Sequence, residues 1–352
     1  MKKLLLFAMA LVGTMLAHAQ DSETRSATLQ SGETTTVFSG ADAFKNALEA
    51  AEDGSIITLS SGTFNGTGIF VKSVKVYGAG FQDDEKTGVK CTKVLGSVDV
   101  RGNENNENKY PNGLYFEGVW FTGGVNIQNS DASAVMTGLQ FVKCRTGGFD
   151  FYGITNSTLL LQSFIEGKLN GRDQTATNLL VQNCIVTQHV GGFGGASDVL
   201  VDHCMLTRNN AGVYDQYHGP YRFRSTLVDC YLPGGATEEY CFGAKWYVTN
   251  AGTRTGGYYI GEDFESWATF FKDGQDDLSY TIKETGAPRT WELAEPEKFV
   301  GGDGTPVGVI GGEYPWNPIP STPRIVSSSI DSKSVAGKLK VNIKAEARPA
   351  NK

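Results

Sequence analysis

The chain has 352 residues, 20% of them charged and 40% hydrophobic, a composition suited to a folded body and unlike a disordered one. Its formal net charge of −7 argues against nucleic acid and anionic membrane surfaces as partners, because both require basic clusters. Glycine is the outlier at 44 residues. Scattered among Asn, Thr and Ser, it points to frequent turns and many short strands instead of long helices.

Residues 1–19 read as a secretory signal: Lys2 and Lys3 at the start, an apolar run from Leu4 to Leu16, and Ala17-His18-Ala19 before a cleavage point at Gln20. The run is shorter than the ~20 residues of a membrane span, and no later segment resembles one. An exported protein is therefore expected, in the periplasm, at the cell surface or secreted, with a net charge of −9 once the two lysines are gone. That acidity does not exclude an anionic polysaccharide, which a local basic groove can hold. A lead segment, 20–38, comes next. Asp42-Ala-Phe-Lys-Asn-Ala-Leu-Glu-Ala-Ala51 predicts a short amphipathic helix with Phe44, Ala47, Leu48 and Ala51 on one face and Ser39 or Asp42 as N-cap. The alternating strand Asp53-Gly-Ser-Ile-Ile-Thr-Leu59 and then Ser61-Gly-Thr-Phe64 follow. Such a helix would cap the open end of a strand stack and hide its edges.

Internal repetition dominates the middle of the chain. Gly113-Leu-Tyr-Phe-Glu-Gly-Val119, Gly138-Leu-Gln-Phe-Val-Lys-Cys144, Thr158-Leu-Leu-Leu-Gln-Ser-Phe164, Asn178-Leu-Leu-Val-Gln-Asn-Cys184 and Asp198-Val-Leu-Val-Asp-His-Cys204 share one pattern. Their second positions, Leu114, Leu139, Leu159, Leu179 and Val199, are separated by 25, 20, 20 and 20 residues, and Tyr221-Arg-Phe-Arg-Ser-Thr-Leu227 continues the series. Alternation within each segment marks a strand with one buried face. About twenty residues suffice for three short strands and three bends, one coil of a solenoid. Leucine-rich and helical repeats need other spacings. Like residues then stack in ladders ~4.8 Å apart. Cys144, Cys184 and Cys204 hold one repeat position and read as an inward stack, with Asn183 and His203 on the neighbouring bend. His203 is expected to be a hydrogen-bonded bend residue. A Cys184–Cys204 disulfide is geometrically open at this stacking distance.

From Leu232 to Pro296 the repeat is hard to follow, with an aromatic segment, Tyr240 to Tyr259, and an acidic one, Glu262 to Asp277. Irregular coils with long loops are expected. A Pro-rich connector runs from Tyr314 to Pro323, and the tail Arg324 to Ala347 alternates as Leu339, Val341 and Ile343, a strand pattern. The prediction is an all-β, right-handed parallel β-helix over 39–312 with an N-terminal capping helix. A Pro-rich connector and strand-like C-terminal tail occupy 313–352. Both stack ends look protected, so a monomer is expected.

Three stretches carry a family resemblance: Phe44-Lys-Asn-Ala-Leu-Glu-Ala-Ala-Glu-Asp-Gly-Ser-Ile-Ile-Thr-Leu-Ser-Ser-Gly-Thr-Phe64, the stacked Leu/Val-x-Val-x-Asn/His-Cys coils, and Asp303-Gly-Thr-Pro-Val-Gly-Val-Ile-Gly-Gly312. With the following Pro-Trp-Asn-Pro and Gly337-Lys-Leu-Lys-Val, the chain resembles the pectate-lyase-like superfamily of exported bacterial β-helix proteins. The resemblance covers most of the mature chain and is specific for fold but not for activity, since this fold hosts lyases, hydrolases, esterases, epimerases and adhesive shafts. It implies a search on an outward strand face of the central coils. Lyases of this kind combine Ca²⁺-holding acids with an Arg or Lys base, and the glycosidases use paired Asp carboxylates.

Inward residues Phe149, Leu169, Val190 and Val213 place the second strand of successive coils. Outward neighbours then give catalytic candidates Asp150, Arg172, Asp173 and Asp215. Candidates for substrate binding are Tyr152, His189, Arg208, Tyr214, His218, Arg222 and Arg224. Arg222 and Arg224 lie on one strand face and suit either carboxylated sugars or an ion pair with Asp229. Thr146-Gly-Gly-Phe-Asp-Phe-Tyr-Gly153 resembles the pectin methylesterase signature, carrying its nucleophile onto Asp150. However, Val125-Asn-Ile-Gln128, one coil earlier, lacks the partner acid, and Pro288-Arg-Thr-Trp291 is a poor substitute for the substrate-positioning element. No ligand set fixes a metal site. Two function classes follow: an exported β-helix that binds polysaccharide or a cell-surface glycan or serves as a surface structural module, needing no cofactor, or a carbohydrate-active enzyme. The latter would be a lyase, with Ca²⁺, before a hydrolase or esterase.

Overall fold

The computed structural model describes residues 25–84, 88–102, 110–129, 134–207, 221–230, 232–244, 252–259, 266–275, 289–330 and 341–346. Among these the chain is all-β with few helices, and its strands form long, mostly parallel sheets compatible with the expected β-helix. Sheet I has twelve strands, sheet II ten and sheet III six. The chain visits them in turn. Leu159–Leu161 lies in sheet I, Phe164–Ile165 in II and Leu169–Asn170 in III. The next coil repeats the circuit at Leu179–Gln182, Ile185–Val186 and Val190–Gly191, each strand pairing in parallel with its predecessor.

Side-chain alternation directs every second residue inward, where like positions meet across rungs. On sheet I the inward column runs Ile57, Val76, Phe116, Phe141, Leu160, Val181, Val201 and Phe223, all fully buried. Beyond Phe223 the column turns polar, with Glu238, 1% exposed, followed by its register partner Arg254, whose guanidinium lies 3.6 Å from the Glu238 carboxylate. The bend between sheets II and III is lined with glycine because rungs approach too closely for a side chain. A Cβ on Gly167 would run into the Gly147 carbonyl, and one on Gly123 would lie 2.5 Å from Ser97 Oγ.

The capping helix spans Ala43–Ala50 and buries Ala43, Phe44, Ala47 and Leu48. Asp42 holds the N-cap position, but its carboxylate makes no cap hydrogen bond and instead accepts one from Asn65 at 2.8 Å. The lead segment contains an antiparallel hairpin, Ser26–Ser31 with Thr34–Ser39, that ends sheet I. Beyond Leu232 the circuit continues: Thr237–Glu239 and Thr253–Thr255 add rungs to sheet I, Phe242–Gly243 and Tyr258–Tyr259 to sheet II. The tail forms a separate antiparallel pair, Arg324–Ile330 with Val341–Glu346.

One coil departs from the expected register. Leu159 does not stack on Leu179; it pairs with Leu180, while Thr158 (1% exposed) takes the inward place between Leu139 and Leu179. Correspondingly Ser163, not Phe164, occupies the cysteine position. Cys144 N–H donates to Ser163 Oγ at 3.1 Å, Ser163 N–H to Cys184 Sγ at 3.4 Å and Cys184 N–H to Cys204 Sγ at 3.4 Å. The stack of small side chains is therefore a hydrogen-bonded ladder. The Cys184–Cys204 disulfide is not formed, and all six cysteines are thiols. Burial pushes the Cys144, Cys230 and Cys241 thiols up to about 12 and Cys204 well above its ordinary value. None of these four buried thiols is poised as a nucleophile.

A second departure concerns 301–322. This segment runs back along the outside of the stack as a strap over the bend between sheets I and II. In successive coils that bend places Lys143, Gln162, Asn183, His203 and Ser225 at φ between 46° and 49°. Each of the five bonds the strap. Ser225 Oγ accepts from Gly302 N–H, Asn183 Nδ2 donates to the Val309 and Gly311 carbonyls at 2.9 and 2.8 Å, and Gln162 Nε2 donates to Tyr314 O and Pro315 O. Lys143, fully buried, donates to Ile319 O at 2.8 Å. One rung before Lys143, buried Glu117 accepts from Ser321 N–H and Oγ.

Candidate functional site

Three of the outer surfaces of the stack, the face of sheet II, the bend beside it and the face of sheet III, differ in what covers them. On sheet II the outward residues Phe164, Ile185, Met205, Leu227 and Phe242 are apolar and buried in one cluster with Trp267, Phe270, Phe271, Trp291, Leu293, Val307 and Val309. That face is a second core. The bend beside it is sealed by the strap. Sheet III keeps a polar outer face.

Strands Val98–Arg101, Val125–Gln128, Phe149–Tyr152 and Leu169–Asn170 supply it. Apolar residues point inward, so the alternate positions align outward as Asp99, Asn126, Asp150 and Asn170 on consecutive rungs, with Arg101, Gln128 and Tyr152 two residues further along. Asp99 accepts from Asn126 Nδ2 at 2.7 Å and from Arg101 Nη2 at 2.8 Å. Asp150 accepts from Asn170 Nδ2 at 2.9 Å and from Arg172 Nε at 2.7 Å. The hydrogen bond to Asp150 raises the Arg172 pKa further, so its cation is fixed. Arg172 also sits 5.2 Å from the centroid of the Tyr152 ring, which is 46% exposed. The result is a strip of acceptors and donors beside an open aromatic ring.

Asp150, Arg172 and Tyr152 are thus brought together. Asp173 follows in the same turn, where its N–H bonds Gly192 O at 2.7 Å and its side chain is exposed. His189 is half-buried in the bend before Val190–Gly191, in register with Lys168. Asp215, Arg208, Tyr214 and His218, like the inward Val213, lie outside the described residues. Arg222 and Arg224 stand apart from the strip on sheet I. Their acid partners are Asp198 and Asp202 in the adjacent coil, where Asp229 had been the expected one. The parallel pairing explains this: Leu200↔Arg222 and Asp202↔Arg224 are register neighbours.

Asp202 belongs to a buried network. Arg224 donates to it through Nε and Nη2 at 2.9 and 2.8 Å, and His203 Nδ1 contacts it at 3.0 Å. Burial alone would raise the Asp202 carboxyl, but these hydrogen bonds win and hold it well below the usual carboxylate range. The other ring nitrogen of His203 meets Thr305 Oγ1 at 3.1 Å and lies 3.4 Å from Asp303. Gly311 and Gly312 approach the ring so closely that a Cβ on Gly311 would lie 2.7 Å from His203 Cδ2. His203 is a hydrogen-bonded bend residue that anchors the strap.

Asp99, Arg101 and Asn170 join the strip without being among the expected site residues, and Asn126 and Gln128 contribute amides where only a missing acid was noted. Their signal is the shared alternation of Val98-Asp-Val-Arg101, Val125-Asn-Ile-Gln128 and Phe149-Asp-Phe-Tyr152. Among the described residues no group of three or more His, Cys, Asp and Glu could hold a metal ion, and no helix is long and apolar enough to cross a membrane. No protein-family model matches the chain, and comparison with curated proteins and with solved structures returns no match.

Proposed function

We propose that this chain is an exported, right-handed parallel β-helix protein of the pectate-lyase-like kind, and that it binds polysaccharide through the outer face of sheet III. Right-handedness follows the general rule for parallel crossovers. The observation that carries the binding reading is the strip itself. It aligns two carboxylates, two guanidiniums, three amides and an exposed tyrosine on consecutive rungs. Sugar hydroxyls need paired donors and acceptors, and the C–H faces of sugar rings need aromatic platforms. A flat row of such groups suits a chain polymer.

Binding is favoured over catalysis because the acid and base candidates at the centre hold each other. Asp150 and Arg172 share a 2.7 Å hydrogen bond, so neither stands ready to take a substrate proton. The test is incubation of the mature protein with a polysaccharide panel, with and without Ca²⁺, followed by affinity gel electrophoresis and product analysis. Retardation by one or more polymers without new chain ends is expected. New reducing ends or unsaturated products would replace this reading with the enzymatic one, a lyase before a hydrolase or esterase.

A further inference from the structure

We infer that the strip on sheet III selects a neutral, hydroxyl-rich glycan and discriminates against polyuronates. This rests on the binding reading above and adds the chemical class of the ligand.

The charges on the strip cancel internally. Asp99 is bonded to Arg101 and Asp150 to Arg172, and the second donor on each carboxylate is an amide, Asn126 or Asn170. The flanking turns add Lys168 and Asp173, one charge of each sign. A polyuronate would meet Arg101 and Arg172, 42% and 41% exposed, but each is already bonded to an acid, Asp99 or Asp150 (23% and 25% exposed), so the attraction of each cation is offset by the carboxylate beside it. Like charges at that range repel, and the net charge of −9 on the mature chain adds to the repulsion. A neutral sugar meets no such penalty. Its hydroxyls can accept from the guanidinium and amide N–H groups and donate to the carboxylates without displacing an ion pair.

The arrangement also repeats. Asp99 with Asn126, then Asp150 with Asn170, form the same acid–amide unit on successive pairs of rungs. Two rungs advance about 10 Å, a length on the scale of a disaccharide. A glycan lying across the rungs therefore meets one acid–amide unit per two sugars, with Tyr152 on the Asp150 rung of the second unit.

The experiment is affinity electrophoresis of the mature protein in gels containing arabinoxylan, galactomannan or mixed-linkage β-glucan, and in parallel gels containing polygalacturonate or alginate, at about 20 and about 200 mM salt. Retardation by a neutral polymer is expected, unchanged by salt and weakened roughly tenfold or more in Asn126→Ala/Asn170→Ala. Thermal unfolding of that variant, run alongside, confirms that it is folded. Retardation by a polyuronate that fades with salt overturns the neutral-glycan assignment while leaving glycan binding intact. Failure of every polymer removes both.

Discussion

Two rows of polar residues run along this stack, and they have opposite fates. On the bend between sheets I and II, Gln162, Asn183, His203 and Ser225 are buried and bonded to the strap. On sheet III, Asp99, Asn126, Asp150 and Asn170 are bonded to one another and keep contact with solvent. The residue types are similar; the difference is the cover. A buried polar group is costly unless bonded, so the strap row contributes to stability and specifies where the chain's own C-terminal segment docks. A bonded but open row contributes little to stability and leaves a patterned surface for a ligand.

Breaking the buried row should therefore cost folding, with the largest effect at its charged centre. Asp202→Ala leaves His203 and Arg224 without their shared acceptor. Because Arg224 is 46% exposed, the loss should fall near the low end for a buried pair, about 3 kcal/mol, read by chemical denaturation. Asn183→Ala, which strips the donor from two strap carbonyls, should cost about 1–3 kcal/mol. Limited proteolysis should then cut first within 301–322. Acid sharpens the same contrast. The folded Asp202 carboxyl lies below its unfolded value near ~3.9, so its contribution is present above that pH and is lost as pH falls through the folded value. Wild type should lose more stability than Asp202→Asn on acidification below about pH 4; equal losses would sever the link. The smallest stability effect belongs to the open row. Tyr152→Ala should change unfolding by no more than about 0.5 kcal/mol while weakening glycan retention. A large destabilisation there would place Tyr152 in the structural class.

What could be read in the sequence was whatever repeats locally. The inward columns of sheet I and the stack of small side chains recur from coil to coil, and the capping helix shows its apolar face within ten residues. The register slip arises at Leu159-Leu-Leu161, where consecutive leucines fit either parity of a strand, so only the neighbouring Thr158 and Ser163 disclose which face is inward. The strap left no periodic trace because its partners are far off in sequence: Asn183 reaches residues 126 and 128 positions away. The imidazole that crowds its Gly311-Gly312 lies in another coil, about a hundred residues earlier in the chain. On sheet III, Asp150, Tyr152 and Arg172 were found from inward spacing. Asp99 is hidden because the earlier coils are longer, placing Val98, Val125 and Phe149 at unequal steps, and Asn126, one coil before Asp150, stands out in the sequence only as the position where an acid is lacking.

The most direct measurement is amide hydrogen exchange on the full mature chain, with and without a retarding glycan. New protection confined to 98–101, 125–128, 149–152 and 169–172, with the strap at 301–322 unchanged, is the predicted result. Protection appearing instead along the strap or on sheet I would contradict the assignment of the open polar row as the ligand surface.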